Sequence, residues 1–288
     1  MDPDELGAMQ ALASRTWSRA ARHHPGQLAW SARWAEDADA GPARCWTEDG
    51  ELAGWAWAEE PTWLELCVDA THRHAVDVAR EAVEWFLAHA PDEPTRTSVL
   101  ASEHLLRDVL GEAGFLAEEG PWFTHHPLDL AGLVPVPDVP GYRLRAVLTG
   151  EAAPRAACHR AAWSTPGSTS RVTTAAYDGL MGTAPYRADL DWVAVAGDGT
   201  WAASCLVWLD DATGVALLEP VGCAPDHRRQ GLAAAVSLAA LHAARTAGAT
   251  EALVCPRGDE AYPAPRLLYQ GLGFEPGERT ITLVREPS

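Results

Sequence analysis

Short apolar runs and polar turns alternate at strand spacing along the C-terminal part of the chain. Residues 192–196, 201–209 and 215–223 read as strands, separated by Gly-Asp-Gly and Asp-Asp-Ala-Thr-Gly turns. A turn over 224–230 leads into a helix expected over 231–247, which Gly248 can close in the left-handed conformation. Residues 251–255 then read as a strand, 265–272 as a helix and 279–285 as a final strand. The N-terminal part runs through a similar order. Strands are expected at 52–58 and 63–68, a helix at 75–90, a strand at 97–100, a helix at 104–113, and a closing segment at 123–128.

Between the two sets lies Val134-Pro135-Val136-Pro137-Asp138-Val139-Pro140-Gly141. Three prolines this close cannot sit inside a helix and favour an extended connector. The chain therefore divides near residue 138, into expected domains 1–134 and 139–288. The halves also align by residue: Val68-Asp69-Ala70-Thr71-His72-Arg73 lies against Cys223-Ala224-Pro225-Asp226-His227-Arg228. The run 107–115, ending Gly114-Phe115, lies against 266–274, ending Gly273-Phe274. This reads as a tandem duplication of one α/β unit. Where the second copy has Gly231 and Tyr269, the first has Val76 and Leu110.

Chemistry concentrates in Arg228-Arg229-Gln230-Gly231-Leu232-Ala233, which follows a strand and opens a helix. A helix N-terminus presents free N–H groups and the positive end of its dipole, so it favours an anion. Gly231 lets the backbone approach the ligand, Ala233 is small enough to do the same, and Arg228 and Arg229 add positive charge. The preceding strand carries Pro220 and Gly222 inside an apolar run, which marks a strand that bulges or splays from its neighbour.

The stretch from Glu219 to Ala233 resembles motif A of the GNAT N-acetyltransferases, [RQ]-x-x-G-x-[GA] after a strand. Downstream, Leu268-Tyr269-Gln270-Gly271-Leu272-Gly273-Phe274 resembles motif B of the same family, and the resemblance spans about 141–286. It implies an α/β (α+β) fold of two tandem GNAT-like domains, each a mixed, mostly antiparallel twisted sheet flanked by helices, with the first copy degenerate. It also implies an acetyl-CoA-dependent transfer of an acyl group to an amine. Carried over, Val221, Gly222 and Cys223 would bond the pantetheine arm through their backbone. Arg228, Arg229, Gln230, Gly231, Leu232, Ala233 and Ala234 would surround the pyrophosphate. Tyr269 would protonate the departing thiolate. Glu219 is the candidate base, because it shares strand parity with Cys223 if no bulge intervenes. It can equally be a glutamate that only orients structure or substrate. Trp163, Arg171 and Tyr177 are candidate acceptor contacts, on two helices and the polar loop 164–170 that form one wall of the acceptor site in the family. The sequence departs from the family pattern at Ala233, where a second glycine is usual, and at Tyr262, where an asparagine is often found.

Composition narrows the partners. The formal net charge is −18, and all 22 basic residues are arginine. A surface this acidic repels phosphate backbones and anionic lipid, which argues against nucleic-acid and membrane partners. No apolar run reaches the length of a membrane span, and the acidic N-terminus has no signal-peptide pattern, so a cytoplasmic protein is expected. The six cysteines form no C-x-x-C pair and read as small buried hydrophobes in a reducing compartment. The pairs His23-His24 and His125-His126 do not have metal-ligand spacing, so no metal is expected. Thirteen tryptophans point to a Trp-rich interior or domain interface. The favoured function is acetylation of a small-molecule amine, and a homodimer is compatible with it. Alternatives are an acyl-CoA-binding sensor or non-catalytic scaffold, a mycothiol-synthase-like acetyltransferase, and a protein N-terminal acetyltransferase.

Overall fold

The computed structural model describes residues 2–32, 41–48, 50–164 and 169–287. Residues 165–168 of the expected polar loop therefore lie outside the described residues. In chain order the elements begin with α1 (Pro3–Arg15), α2 (Pro25–Ala32), β1 (Ala43–Glu48), β2 (Glu51–Glu60), β3 (Trp63–Val68), α3 (Ala75–His89), β4 (Thr95–Leu100), α4 (His104–Glu112) and β5 (Leu116–Ala117). They continue with β6 (His126–Asp129), β7 (Tyr142–Ala146), α5 (Ala152–Trp163), α6 (Thr174–Met181), β8 (Asp191–Ala196), β9 (Trp201–Asp210) and β10 (Val215–Cys223). Last come α7 (Leu232–Thr246), β11 (Glu251–Val254), α8 (Ala264–Gly271) and β12 (Thr280–Arg285).

These elements form two compact units. Unit 1 comprises Met1–His125, Pro256–Pro263 and Gly277–Ser288; unit 2 comprises His126–Cys255 and Ala264–Pro276. Each holds a six-stranded sheet, in the order β1-β2-β3-β4-β12-β5 in unit 1 and β6-β11-β10-β9-β8-β7 in unit 2. Within each sheet one neighbouring pair is parallel, β3 with β4 and β10 with β11, and the other pairs are antiparallel. The units are drawn differently from the linear halves 1–134 and 139–288. The C-terminal strand β12 pairs with β4 from Thr280↔Leu100 to Arg285↔Thr95, in the sheet of unit 1. Conversely β6, expected to close the first set, pairs with β11 in unit 2. Alternation of apolar residues fixes which face of a strand is buried, but not which sheet it joins. Among the described residues no helix is long and apolar enough to cross a membrane.

In unit 2 the sheet separates two layers of helix. Ser204 lies beside Cys158 on α5, while its neighbour Cys205 lies beside Ser237 on α7. Successive strand residues point to opposite faces, so α5 and α7 cover opposite faces of the sheet. The α7 side carries the main core, including Val207, Leu218, Leu232, Val236, Leu241 and Phe274. As expected, Gly248 ends α7 in the left-handed region, φ 111°. The N–H of Ala249 reaches Ala244 O at 2.9 Å and that of Gly248 reaches Arg245 O at 3.1 Å, which satisfies two terminal carbonyls.

In unit 1 the same alternation sends Trp55 and Trp57 of β2 against Met9, Leu12 and Leu28 of α1 and α2. It sends Ala56 and Ala58 to the face covered by Val78, Ala82 and Phe86 of α3. β3 pairs with β4 only at Trp63↔Arg96 and Leu64↔Thr97. Beyond that point the chain itself fills the gap. His23 Nε2 lies 2.9 Å from Leu66 O. The Arg22 guanidinium engages both carboxylate oxygens of Glu65, through Nη1 and, at 2.9 Å, Nη2; Trp63 Nε1–H donates to the same carboxylate at 2.6 Å.

Charge in this cluster is not balanced. Burial, with the Glu65 charge adding to it, pushes the Glu59 carboxyl up to about 7. Burial, helped by the Arg22 charge, pushes the His23 imidazole down to about 4. Burial also works against ionised Glu65, but the charge and hydrogen bonds of Arg22 outweigh it and hold that carboxyl below its usual range. A carboxyl at about 7 in the fold and 4.5 unfolded stabilises fully below 4.5, and this is lost as pH rises towards 7. The histidine acts in the opposite sense: its contribution is present above 6.5 and is lost as pH falls towards 4. The two slopes therefore oppose each other across the window they share. Glu59→Gln should leave a protein whose melting temperature drops as pH falls through this window. His23→Gln should leave one whose melting temperature drops as pH rises, each slope reaching at most about 1.4 kcal/mol per pH unit. Thermal melts of both variants against pH check the pair, and slopes of the same sign would refute the assignment.

Candidate active site

The first turn of α7 is open. Its N-cap, Gly231, has φ 80° and ψ 0°, and no side chain caps the helix. Ala235 is the first residue to bond back, to Gly231 O at 3.0 Å, so the N–H groups of Leu232, Ala233 and Ala234 have no partner within the helix. Arg229 is also left-handed, φ 61°. No atom lies within 4 Å of where a Cβ on Gly231 would stand, so this glycine serves backbone conformation and access, not packing. The loop is braced by Tyr142, whose hydroxyl lies 2.8 Å from His227 Nδ1 and donates to Gln230 Oε1 at 3.2 Å. Neither Tyr142 nor His227 was among the residues expected to matter; both sit outside the motif's fixed positions.

Arg228 does something other than the expected charge contact. Its Nε–H donates to Cys223 O at 3.1 Å and its Nη2–H to Ala162 O at 3.2 Å. It clasps the loop to the end of β10 and to α5. Arg229 is exposed and carries the loop's free positive charge, and Leu232 offers only its backbone, because its side chain is in the core.

β10 parts from its parallel neighbour. It pairs with β11 only at Val215↔Glu251, Ala216↔Ala252 and Leu217↔Leu253, yet it runs on to Cys223. On its other side it pairs with β9 to the end, Cys223 lying opposite Ala203. The Ala224 N–H bonds to Ala202 O at 2.8 Å. Bonded and non-bonded pairs alternate along an antiparallel ladder, so Gly222 turns its backbone groups to β9. Val221 and Cys223 turn theirs outward, into the gap that β11 has left. This corrects the expectation for Gly222, whose backbone is engaged in the sheet. Its importance is steric: a Cβ there would stand 2.7 Å from Ala162 Cβ and 3.0 Å from Trp163 Nε1.

Tyr269 lies on α8, almost wholly buried, with Phe274 edge-on at 5.8 Å between ring centroids. Burial pushes its hydroxyl well above the ordinary tyrosine range, and the neighbouring Cys205, Cys255 and Glu219 add to the shift. Tyr269 and Glu219 thus share one electrostatic environment. Glu219 is half-buried. The parity argument that aligned it with Cys223 does not hold, because β10 bulges between Leu218 and Val221. Two residues of the bulge stand against one on β9, which breaks the two-residue period. Its main-chain carbonyl accepts from Trp208 Nε1–H at 2.7 Å.

Of the expected acceptor contacts, Trp163 is 52% exposed, beside Gly222, with His159 stacked on its ring at 5.7 Å. Arg171 is exposed and precedes α6, which starts later than the helix expected from 171. Tyr177 is no wall residue: it is fully buried, and its hydroxyl donates to Asp191 Oδ2 at 2.7 Å. Asp191, also buried, takes Arg155 Nε–H at 2.8 Å and the Tyr186 hydroxyl at 3.2 Å. Tyr262 is exposed, in the 256–263 segment assigned to unit 1. Among the described residues no group of three or more His, Cys, Asp or Glu is placed to hold a metal ion.

In unit 2 an open helix N-terminus thus follows a strand that leaves its parallel neighbour. Residues 156–274 match the model of the Acetyltransferase (GNAT) family. Solved structures agree over the full length. A GCN5-related N-acetyltransferase from Sphaerobacter thermophilus is 18% identical, with 99% of this chain and 94% of that one covered and a TM-score of 0.63. A tandem GNAT protein from the clavulanic acid biosynthesis pathway is 18% identical, with 100% and 96% covered and a TM-score of 0.65. A GNAT-family acetyltransferase from Colwellia psychrerythraea is 12% identical, with 97% of each chain covered and a TM-score of 0.62. No curated protein sequence matches significantly. The chain has a tandem GNAT fold of two mixed six-stranded sheets.

The contact at Gly222 yields a prediction. Gly222→Ala should push the end of α5 off β10 and destabilise unit 2 by about 1–3 kcal/mol, as overpacking does. Adding Trp163→Ala should recover part of that loss. Thermal melts of the single and double variants decide it; a fully additive pair would mean that the two residues are not in contact.

Proposed function

We propose that unit 2 is an acetyl-CoA-dependent N-acetyltransferase acting on the amine of a small-molecule acceptor, in a cytoplasmic protein. The observation that carries this reading is the sequence of two openings in one unit. β10 turns outward backbone groups at Val221 and Cys223, and a few residues later α7 begins with uncapped N–H groups. The residues present fit the group. Outward strand amides suit the amide-bearing pantetheine arm. The left-handed turn over Arg229, Gln230 and Gly231, with the N–H groups of Leu232, Ala233 and Ala234, suits a pyrophosphate.

When bound there, acetyl-CoA supplies a thioester carbonyl open to attack by an amine. The chain's own groups then have two proton tasks. Glu219 takes a proton from the acceptor ammonium, directly or through water, because only a neutral amine can attack. Tyr269 gives a proton to the departing thiolate. Its raised pKa keeps it protonated through the physiological range and above the ordinary tyrosine value of about 10. Trp163 and Arg171 are the remaining candidates for the acceptor wall. The net charge of −18 supports a small molecule over nucleic acid or an anionic membrane as acceptor. Unit 1 is read as a degenerate copy, since Arg22 and His23 occupy the gap beside β3.

Calorimetric titration with acetyl-CoA, followed by an amine panel read by thiol release, tests the reading. One equivalent should bind, in roughly the micromolar range typical of enzyme substrates. Gly231→Val should weaken binding at least about tenfold with little loss of fold, since a β-branched residue resists the left-handed conformation. Tyr269→Phe should keep binding and slow turnover by about a hundredfold. Normal binding by the glycine variant would sink the pyrophosphate assignment. Binding without turnover on any amine would favour the sensor alternative.

A further inference from the structure

We propose that Trp208 is a positioning residue for Glu219: its indole N–H fixes the main chain at Glu219 and so the direction in which the carboxylate leaves the strand. This rests on the reading of Glu219 as the base. Leu218 lies opposite Val207 and Val221 opposite Cys205, so three steps along β10 match two along β9. Glu219 and Pro220 therefore stand together against Leu206 of β9, and pairing with β11 has already ended at Leu217. Pro220 has no N–H to offer. The ladder is thus interrupted at the Glu219 carbonyl, where a fixed donor sets how the main chain lies.

Trp208 supplies that donor. It stands opposite Leu217, is 1% exposed, and reaches along the bulge to place Nε1 2.7 Å from Glu219 O. Indole is a donor only, on a rigid ring, so the bond has one sense and little freedom. The ring is itself held. Tyr186 packs against it edge-on, centroids 6.4 Å apart, and the Tyr186 hydroxyl donates to Asp191 Oδ2 at 3.2 Å. Asp191 is anchored by Arg155 and Tyr177. A continuous chain of contacts thus runs from a buried ion pair to the peptide that bears the carboxylate. None of these residues belongs to the motifs that mark the cofactor loop.

The experiment uses the full chain and three variants, with acetyl-CoA affinity read by calorimetry and turnover by thiol release. Trp208→Phe keeps an aromatic ring and removes the N–H. We expect acetyl-CoA affinity within about twofold of the parent and kcat lowered roughly 10- to 100-fold, the scale of a misplacement near 1 Å. The acid limb of the pH–rate profile, which reports the base, should move. Trp208→Phe combined with Glu219→Gln should be no slower than Glu219→Gln alone. Should the phenylalanine variant fold poorly, 3-benzothienylalanine placed at position 208 exchanges only the N–H for sulfur in the same shape and gives the same readings. Parental turnover without the N–H, or losses that multiply in the double variant, would overturn the positioning role while leaving the base reading intact. Parental turnover in Glu219→Gln would overturn both.

Discussion

β10 loses its parallel partner after Leu217 but keeps its antiparallel one to Cys223, and a strand paired on one side only must dispose of its other row of backbone groups. Buried N–H and C=O groups are strongly driven to find partners. Unit 2 settles part of this row internally, through Trp208 on Glu219 O and Arg228 on Cys223 O. What it leaves outward, at Val221 and Cys223, is backbone suited to an extended amide. Unit 1 has the same parting after Leu64, and there the chain itself supplies a partner. The Asp69 N–H bonds to Ala53 O, which turns Leu66 outward as Ala224 bonding to Ala202 turns Val221 outward. His23 lies against that outward carbonyl. One constraint on backbone hydrogen bonding thus has two solutions in one chain, one left open and one closed by the chain itself.

The charge arrangement follows the same division. A net charge of −18 repels anions on average. At α7 the local field runs the other way, mostly from backbone: an uncapped first turn, a left-handed entry, and the exposed Arg229. Arg228 spends its guanidinium on two carbonyls and stiffens the loop. In unit 1 the buried charges sit where the gap is closed, and Glu65 is held by Arg22. The carboxylate beside β3 is locked in an ion pair. The one on β10 shares its surroundings with a tyrosine held protonated.

Much of this was legible in the sequence because it rests on local pattern. The strand, glycine loop and helix around Gly231, and the strand order 192–223, follow from short-range alternation and turn residues, and the structure has them within a residue or so. Four features were hidden for physical reasons. The exchange of β6 and β12 depends on long-range pairing, to which alternation is blind. The bulge at Glu219 shifts register by one residue, so a parity argument that was sound for a regular strand gave the wrong basis for placing the carboxylate. Gly222 read as a ligand contact because glycine suits close approach, but the body that approaches is Ala162 and Trp163. Tyr177 read as a wall residue because its helix should line the acceptor site, whereas the partner that buries it, Asp191, is fourteen residues away in sequence.

The differences between the two copies fall where the fold least needs them. Gly231 touches nothing that a side chain would strike, so its replacement at Val76, exposed on the first turn of α3, leaves packing untouched. Tyr269 is buried against Phe274, and its counterpart Leu110 is fully buried in the core of unit 1, so the exchange keeps an apolar filler and drops a hydroxyl. Neither change harms a core; each removes a polar capacity. The residues that close unit 1, Arg22 and His23, lie in the segment before β1, outside the α/β pattern shared by the two halves. Closing the gap by such an added segment satisfies the parted strand without rebuilding the sheet, so the fold of unit 1 does not depend on anything else filling that gap.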